Sequence, residues 1–93
     1  MEMEARVRML GPERGGRSEP CLFIGYRPHL SVQEGEMLGV EFTSVPPNPT
    51  PDVQLDVRFR LPYAVDYSSL APGAEFKILE GARVVGFGTV VAT

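Results

Sequence analysis

A chain of 93 residues, 43% hydrophobic and 23% charged, has the composition of one small globular domain and not of a disordered segment. Nine basic against twelve acidic residues leave a net charge of −3, which argues against a nucleic-acid binder held by phosphate neutralisation. A single cysteine excludes an internal disulfide and a cysteine-based zinc site, and no apolar stretch approaches the roughly 20 residues that cross a bilayer as a helix.

Taken in chain order, the first element is a strand over residues 4–10. Ala5, Val7 and Met9 alternate with Arg6 and Arg8, the period of two that puts one face on a core and the other in water. Gly11-Pro12 ends it, and residues 13–20 form a polar loop around Gly15-Gly16. Residues 21–24 are a short continuous apolar run, expected as a strand that bends or bulges at Gly25 and Pro28 and resumes near Leu30. Residues 38–45 make another apolar-rich strand, with Val40, Phe42 and Val45 alternating imperfectly with Glu41 and Ser44.

Residues 46–52 hold four prolines and are expected as a stiff, extended surface loop. A ligand for a proline-recognition module is the functional alternative there. The clearest strand follows at residues 53–61. Val53, Leu55, Val57, Phe59 and Leu61 face one way, Gln54, Asp56, Arg58 and Arg60 the other, and Pro62 removes a ladder donor. After a turn at Ala71-Pro72-Gly73, residues 75–80 and 83–91 form the closing pair, with Phe76 and Ile78 on one face of the first. Gly86 and Gly88 suggest a tight barrel corner or close packing of another backbone. Six strands at short spacing, with no helical period sustained over three turns, predict an all-β barrel or sandwich.

Charge along the chain is mixed. Residues 1–33 carry five Arg and four Glu, residues 34–52 four acids and no base, and the remainder four of each sign. This describes a solvated surface with one acidic stretch. The N-terminus shows no basic region followed by an apolar run, so no signal peptide is expected and a reducing cytoplasm is the natural location.

Three segments stand in order: Gly15-Gly16-Arg17 followed by Gly25-Tyr26-Arg27-Pro28, the strand at 53–61 followed by Pro62 and Ala64, and the run from Phe76 through Glu80-Gly81-Ala82-Arg83 to Gly86-Phe87-Gly88. Together they resemble the third, C-terminal domain of elongation factor Tu. The resemblance covers nearly all of the chain and implies a six-stranded closed antiparallel β-barrel, here expected to stand alone without the factor's GTPase domain. It implies no catalytic role and no cofactor, and no phosphate-binding Gly-x-x-x-x-Gly-Lys-Ser/Thr loop is present to bind a nucleotide. In the family this domain packs against its neighbouring domains, contacts the nucleotide exchange factor and helps hold aminoacyl-tRNA. The tRNA-facing pattern departs here, with Ile24 in place of a lysine and His29, Leu30, Ser31, Val32, Gln33 and Glu34 in place of a tract rich in Arg and Thr.

Candidate partner- or RNA-binding residues are therefore Arg14, Arg17, Phe23, Ile24, Arg27, His29 and Arg83. Several have a structural reading beside the functional one. Arg27 is favoured as the partner of an internal acid or carbonyl, holding the bend. Tyr26 is favoured as a packing aromatic, Cys21 as a small core residue, and His29 as a surface or strand-edge histidine with no catalytic partner. The turn from Glu80 to Arg83 is favoured as a hairpin turn with solvated ends. No nucleophile, acid–base pair or metal cluster is spaced for chemistry, so no catalytic or metal-binding residue is expected. A non-catalytic, protein-binding and translation-related module is expected, with a protein partner or homodimer mate favoured over RNA and no membrane contact. Weak tRNA binding is the alternative. Leu22, Phe23 and Ile24 are consecutive, as are Val84 and Val85 with Phe87 close by. A strand cannot turn both faces inward, so an exposed apolar patch that includes one of Leu22, Phe23 or Ile24 is expected. A bend at Gly25 that tucks all three inside is the competing arrangement.

Overall fold

The computed structural model describes residues 1–16 and 21–93. Its strands are β1 (Glu2–Met9), β2 (His29–Ser31), β3 (Leu38–Gly39), β4 (Glu41–Ser44), β5 (Gln54–Arg60), β6 (Glu75–Glu80) and β7 (Arg83–Ala92). The only helical turn among the described residues is a three-residue 3-10 turn, Pro12–Arg14. All strand pairs are antiparallel and build one curled sheet in the order β3-β2-β6-β7-β1-β5-β4. The all-β expectation is met.

The strands with clean alternation fall where the pattern puts them. β1 buries Met3, Ala5, Val7 and Met9 and leaves Arg6 and Arg8 in water. β5 buries Leu55, Val57 and Phe59 against an outer row of Gln54, Asp56, Arg58 and Arg60. These two strands pair in continuous register from Glu2↔Arg60 to Arg8↔Gln54, so their inner rows form one apolar wall. β6 adds Phe76 and Ile78. Gly86 and Gly88 of β7 are close-packed: a Cβ on Gly88 would lie 2.5 Å from Phe76 Cζ and 2.8 Å from the Arg6 carbonyl oxygen. The bare backbone there is the space that the Phe76 ring fills.

Three expectations need correction. Residues 21–24 are not a strand. They form a turn in which Gly25, at φ 93°, donates its N–H to the Phe42 carbonyl at 2.8 Å and the Tyr26 N–H donates to the Phe23 carbonyl at 3.1 Å. The turn sends Cys21 and Leu22 into the core and Phe23 and Ile24 out. Val53 does not join the inner face of β5. Asp52 takes the left-handed conformation (φ 63°) and donates its N–H to the Met9 carbonyl at 2.7 Å, so the alternation starts one residue later and Val53 is exposed.

The segment expected as one strand over residues 38–45 is split. β3 pairs with β2 and β4 pairs with β5, with only Val40 between them. Val40 is buried and donates its N–H to the Pro28 carbonyl at 3.2 Å. The first and last strands of the sheet order are thus consecutive in the chain. Seven strands replace the six expected because this one changes partners midway.

Candidate partner-binding surface

An aromatic row links the 21–26 turn to the middle of the core. Ring centroids are 5.1 Å apart for Phe23–Tyr26, 5.8 Å for Tyr26–Phe42, 5.7 Å for Phe42–Phe59 and 6.1 Å for Phe59–Phe76. These are favourable aromatic separations, and each ring restricts the next. Phe23 is the outer end of the row and is 38% exposed, and Ile24 beside it is 68% exposed. An apolar side chain turned to water beside a fixed ring is the sort of surface another chain covers. Leu22, by contrast, is buried, so the exposed patch contains two of the three consecutive apolar residues.

Charged groups frame this patch, and they are held. The Tyr26 hydroxyl donates to Glu80 Oε2 at 2.5 Å, and Arg83 reaches Glu80 Oε1 at 3.3 Å across the β6–β7 turn. Arg27 lies 3.4 Å from Glu41 Oε1, the same oxygen that Arg60 engages from β5. The Arg60 hydrogen bond, with the charges of Arg27 and Arg60, holds the Glu41 carboxyl below its ordinary value against a smaller opposing effect of burial. Arg27 therefore pairs with an acid of the same fold, as favoured from the sequence, and Tyr26 is a buried packing aromatic with its hydroxyl engaged.

The candidate residues divide in space. Phe23 and Arg83 are joined through Tyr26 and Glu80, and Ile24 and Arg27 flank Gly25 and Tyr26 on the same segment. His29 is exposed on β2, in register with Gly39 and Leu79. Arg14 stands apart on the 3-10 turn and pairs with Asp52 at 3.0 Å. Arg17 lies outside the described residues. Glu41, which anchors Arg27, was not singled out from the sequence, and Glu80 was read there only as part of the charged turn with Arg83, not as the partner of Tyr26. Their roles depend on strand neighbours 14 and 54 residues away from Arg27 and Tyr26, a separation that local pattern does not carry. Among the described residues no group of three His, Cys, Asp or Glu side chains converges as a metal site requires, and no helix is long and apolar enough to cross a membrane. Compared with known protein families, the chain matches no family model.

Proposed function

We propose that this chain is a non-catalytic interaction module that binds a protein partner through the turn carrying Phe23 and Ile24. The observation that carries the reading is the outward position of those two side chains, one of them seated on the aromatic row that reaches the core centre. Burying each on a partner is worth about 1.5–3 kcal/mol at the usual scale of apolar transfer, less what is already covered. The rigid row beneath keeps the ordering cost of that contact low. RNA is the weaker reading because Arg14, Arg27 and Arg83 already engage Asp52, Glu41 and Glu80, and their charge is partly offset before any phosphate arrives.

The fold type proposed with it is the third-domain barrel of elongation factor Tu. Reading residues 38–44 as one kinked strand gives six strands, and Phe42 supports closure. It pairs with Phe59 on one side, while on the other its N–H donates to the Tyr26 carbonyl at 2.9 Å and its carbonyl accepts from Gly25. The motif residues Gly25-Tyr26-Arg27-Pro28 lie along that seam. A translation-related role rests on the same resemblance.

The test is affinity capture from the native host with RNase-treated and untreated arms, using wild-type protein and Ile24→Asp. Recovery of a protein that survives RNase and disappears with the aspartate, at unchanged far-UV circular dichroism, is the expected result. Static light scattering over a concentration series separates a second copy from a different chain. Capture of RNA alone, unaffected by the aspartate, reverses the ranking.

A further inference from the structure

The middle of the strand order presents a second surface. β7 and β1 lie at the centre of the sheet, so curling places them across the molecule from the β3–β4 ends and from the Phe23 turn beside them. On their outer face the registers align Lys77, Phe87, Arg8 and Gln54 in one row, and Glu75, Thr89, Arg6 and Asp56 in the next. Phe87 is 46% exposed on an interior strand, and Val91, four residues along the same outer row, is 44% exposed. An open recess of about 670 Å³ lies over them, walled by Leu10 and by Arg14 of the 3-10 turn.

The charges single out one residue. Among the described basic residues, Arg6, Arg14, Arg27, Arg58, Arg60, Lys77 and Arg83 each have a carboxylate partner, and Arg8 has none. Arg8 stands directly across from Phe87. Arginine and aromatic residues are both enriched at protein interfaces, and here an exposed arginine without an acid stands beside an exposed ring. The surroundings limit the partner's charge. Arg6 and Arg14, which line the recess with Arg8, already pair with Asp56 and Asp52, and Glu75 stands in the adjoining row, so a chain of phosphates crossing the recess finds every cation but Arg8 matched by a carboxylate. One isolated carboxylate next to an apolar group fits better than a polyanion.

We infer that the outer face of β7 and β1 is a second docking surface, which takes a peptide segment of a partner protein with an acidic side chain on Arg8 and a neighbouring apolar or aromatic side chain on Phe87 and Val91. This surface shares no residue with the Phe23 turn, so the molecule bridges two contacts on opposite walls.

The probes are blocked, fluorescein-labelled peptides on a Gly-Ser background that place Asp and Phe at every spacing from neighbouring to four apart. A counter-set carries Lys for Asp, and a short oligo-dT strand serves as the polyanion. Fluorescence polarisation is read at low and physiological salt, with backbone NMR shifts to map the face. At least one Asp–Phe peptide is expected to saturate the wild-type protein and to shift amides of β7 and β1. Its affinity is expected to fall about tenfold in Arg8→Glu and in Phe87→Ser, the scale of losing one interfacial charge contact or one buried ring, and to hold in Ile24→Asp. Arg8→Gln, which keeps the side-chain length, separates lost charge from lost folding. The inference is overturned if no Asp–Phe peptide saturates, if the Lys set binds equally, if binding survives Arg8→Glu and Phe87→Ser, or if only the oligonucleotide shifts this face.

Discussion

Phe59 has no exposed surface and stands at the middle of the aromatic row, touching Phe42 on one side and Phe76 edge-on at 87° on the other. Truncating it leaves a cavity that two rigid neighbours cannot collapse into. Phe59→Ala is expected to cost about 3–5 kcal/mol in urea denaturation, a large share of what holds so small a domain together. Ile24 is the opposite case, since its side chain already meets water in the isolated chain. Ile24→Asp is expected to shift stability by about 0.5 kcal/mol or less while removing partner recovery, which separates a binding residue from a folding residue. Thr43 gives a third contrast. Its hydroxyl is buried at the irregular step between Phe42 and Ser44 and has no hydrogen-bond partner among the described residues. Thr43→Val keeps the shape and deletes the unpaired hydroxyl, so a gain of about 1 kcal/mol is expected in the same denaturation experiment.

At the scale of elements, glycines decide how closely strands and side chains can stack. A methyl group on Gly88 meets the Phe76 ring and also the Arg6 carbonyl, and the carbonyl is fixed by the β1–β7 ladder. One on Gly39 meets only the Tyr63 ring, nearest at 2.6 Å, and Tyr63 is largely exposed and free to swing. Gly88→Ala is therefore expected to cost about 1–3 kcal/mol and Gly39→Ala clearly less, a difference that paired thermal melts resolve. The glycines of residues 83–91 left two readings open in the sequence, a tight barrel corner or close packing of another backbone, and the structure puts the Phe76 ring beside Gly88 as well as the Arg6 carbonyl. β1, β5 and β6 were legible because each has one face in the core and one in water, and period two records that. The run at 21–24 was not, because four adjacent apolar residues describe a two-sided strand and a turn with two side chains in and two out equally well. What selects the turn is Phe42, whose carbonyl captures the Gly25 N–H from a distant part of the chain. The same limit applies to the surfaces. Arg8 pointing outward could be read from alternation, but its position beside Phe87 depends on a register between β1 and β7 that no local pattern specifies.

Ion pairs are spread around the outside of the curled sheet, and among the described residues all but the local Glu80–Arg83 pair join segments far apart in sequence. Arg58 takes Glu4 from β1, Arg60 and Arg27 share Glu41, and Lys77 takes Glu34 from the 32–37 turn. Exposed pairs of this kind add little individually. Their collective effect appears with acid. The Lys77 hydrogen bond holds Glu34 below its ordinary value, the Arg60 hydrogen bond does the same for Glu41, and Ser68 does so for Asp66. All three shifts have the same sign, with the folded carboxyl more acidic than the unfolded one. Their contribution is present above the unfolded value and is lost as the pH falls through the lower, folded value. Stability is thus expected to be flat from neutral pH down to about the ordinary glutamate value of 4.5 and to fall below it. Glu41 lies at the meeting point of β4, β5 and the Arg27 segment, so it tests the assignment best. Glu41→Gln keeps the size and some hydrogen bonding but cannot lose a charge. The variant is expected to be less stable than wild type at pH 7 and to converge on it as the pH drops below 4.5, because protonation removes from the wild type what the substitution has already removed. A constant gap between the two denaturation curves from pH 7 to pH 3 would show that Glu41 acts by packing alone. It would also remove the ionic seam between Arg27 and Arg60 as a support of the Phe23 turn.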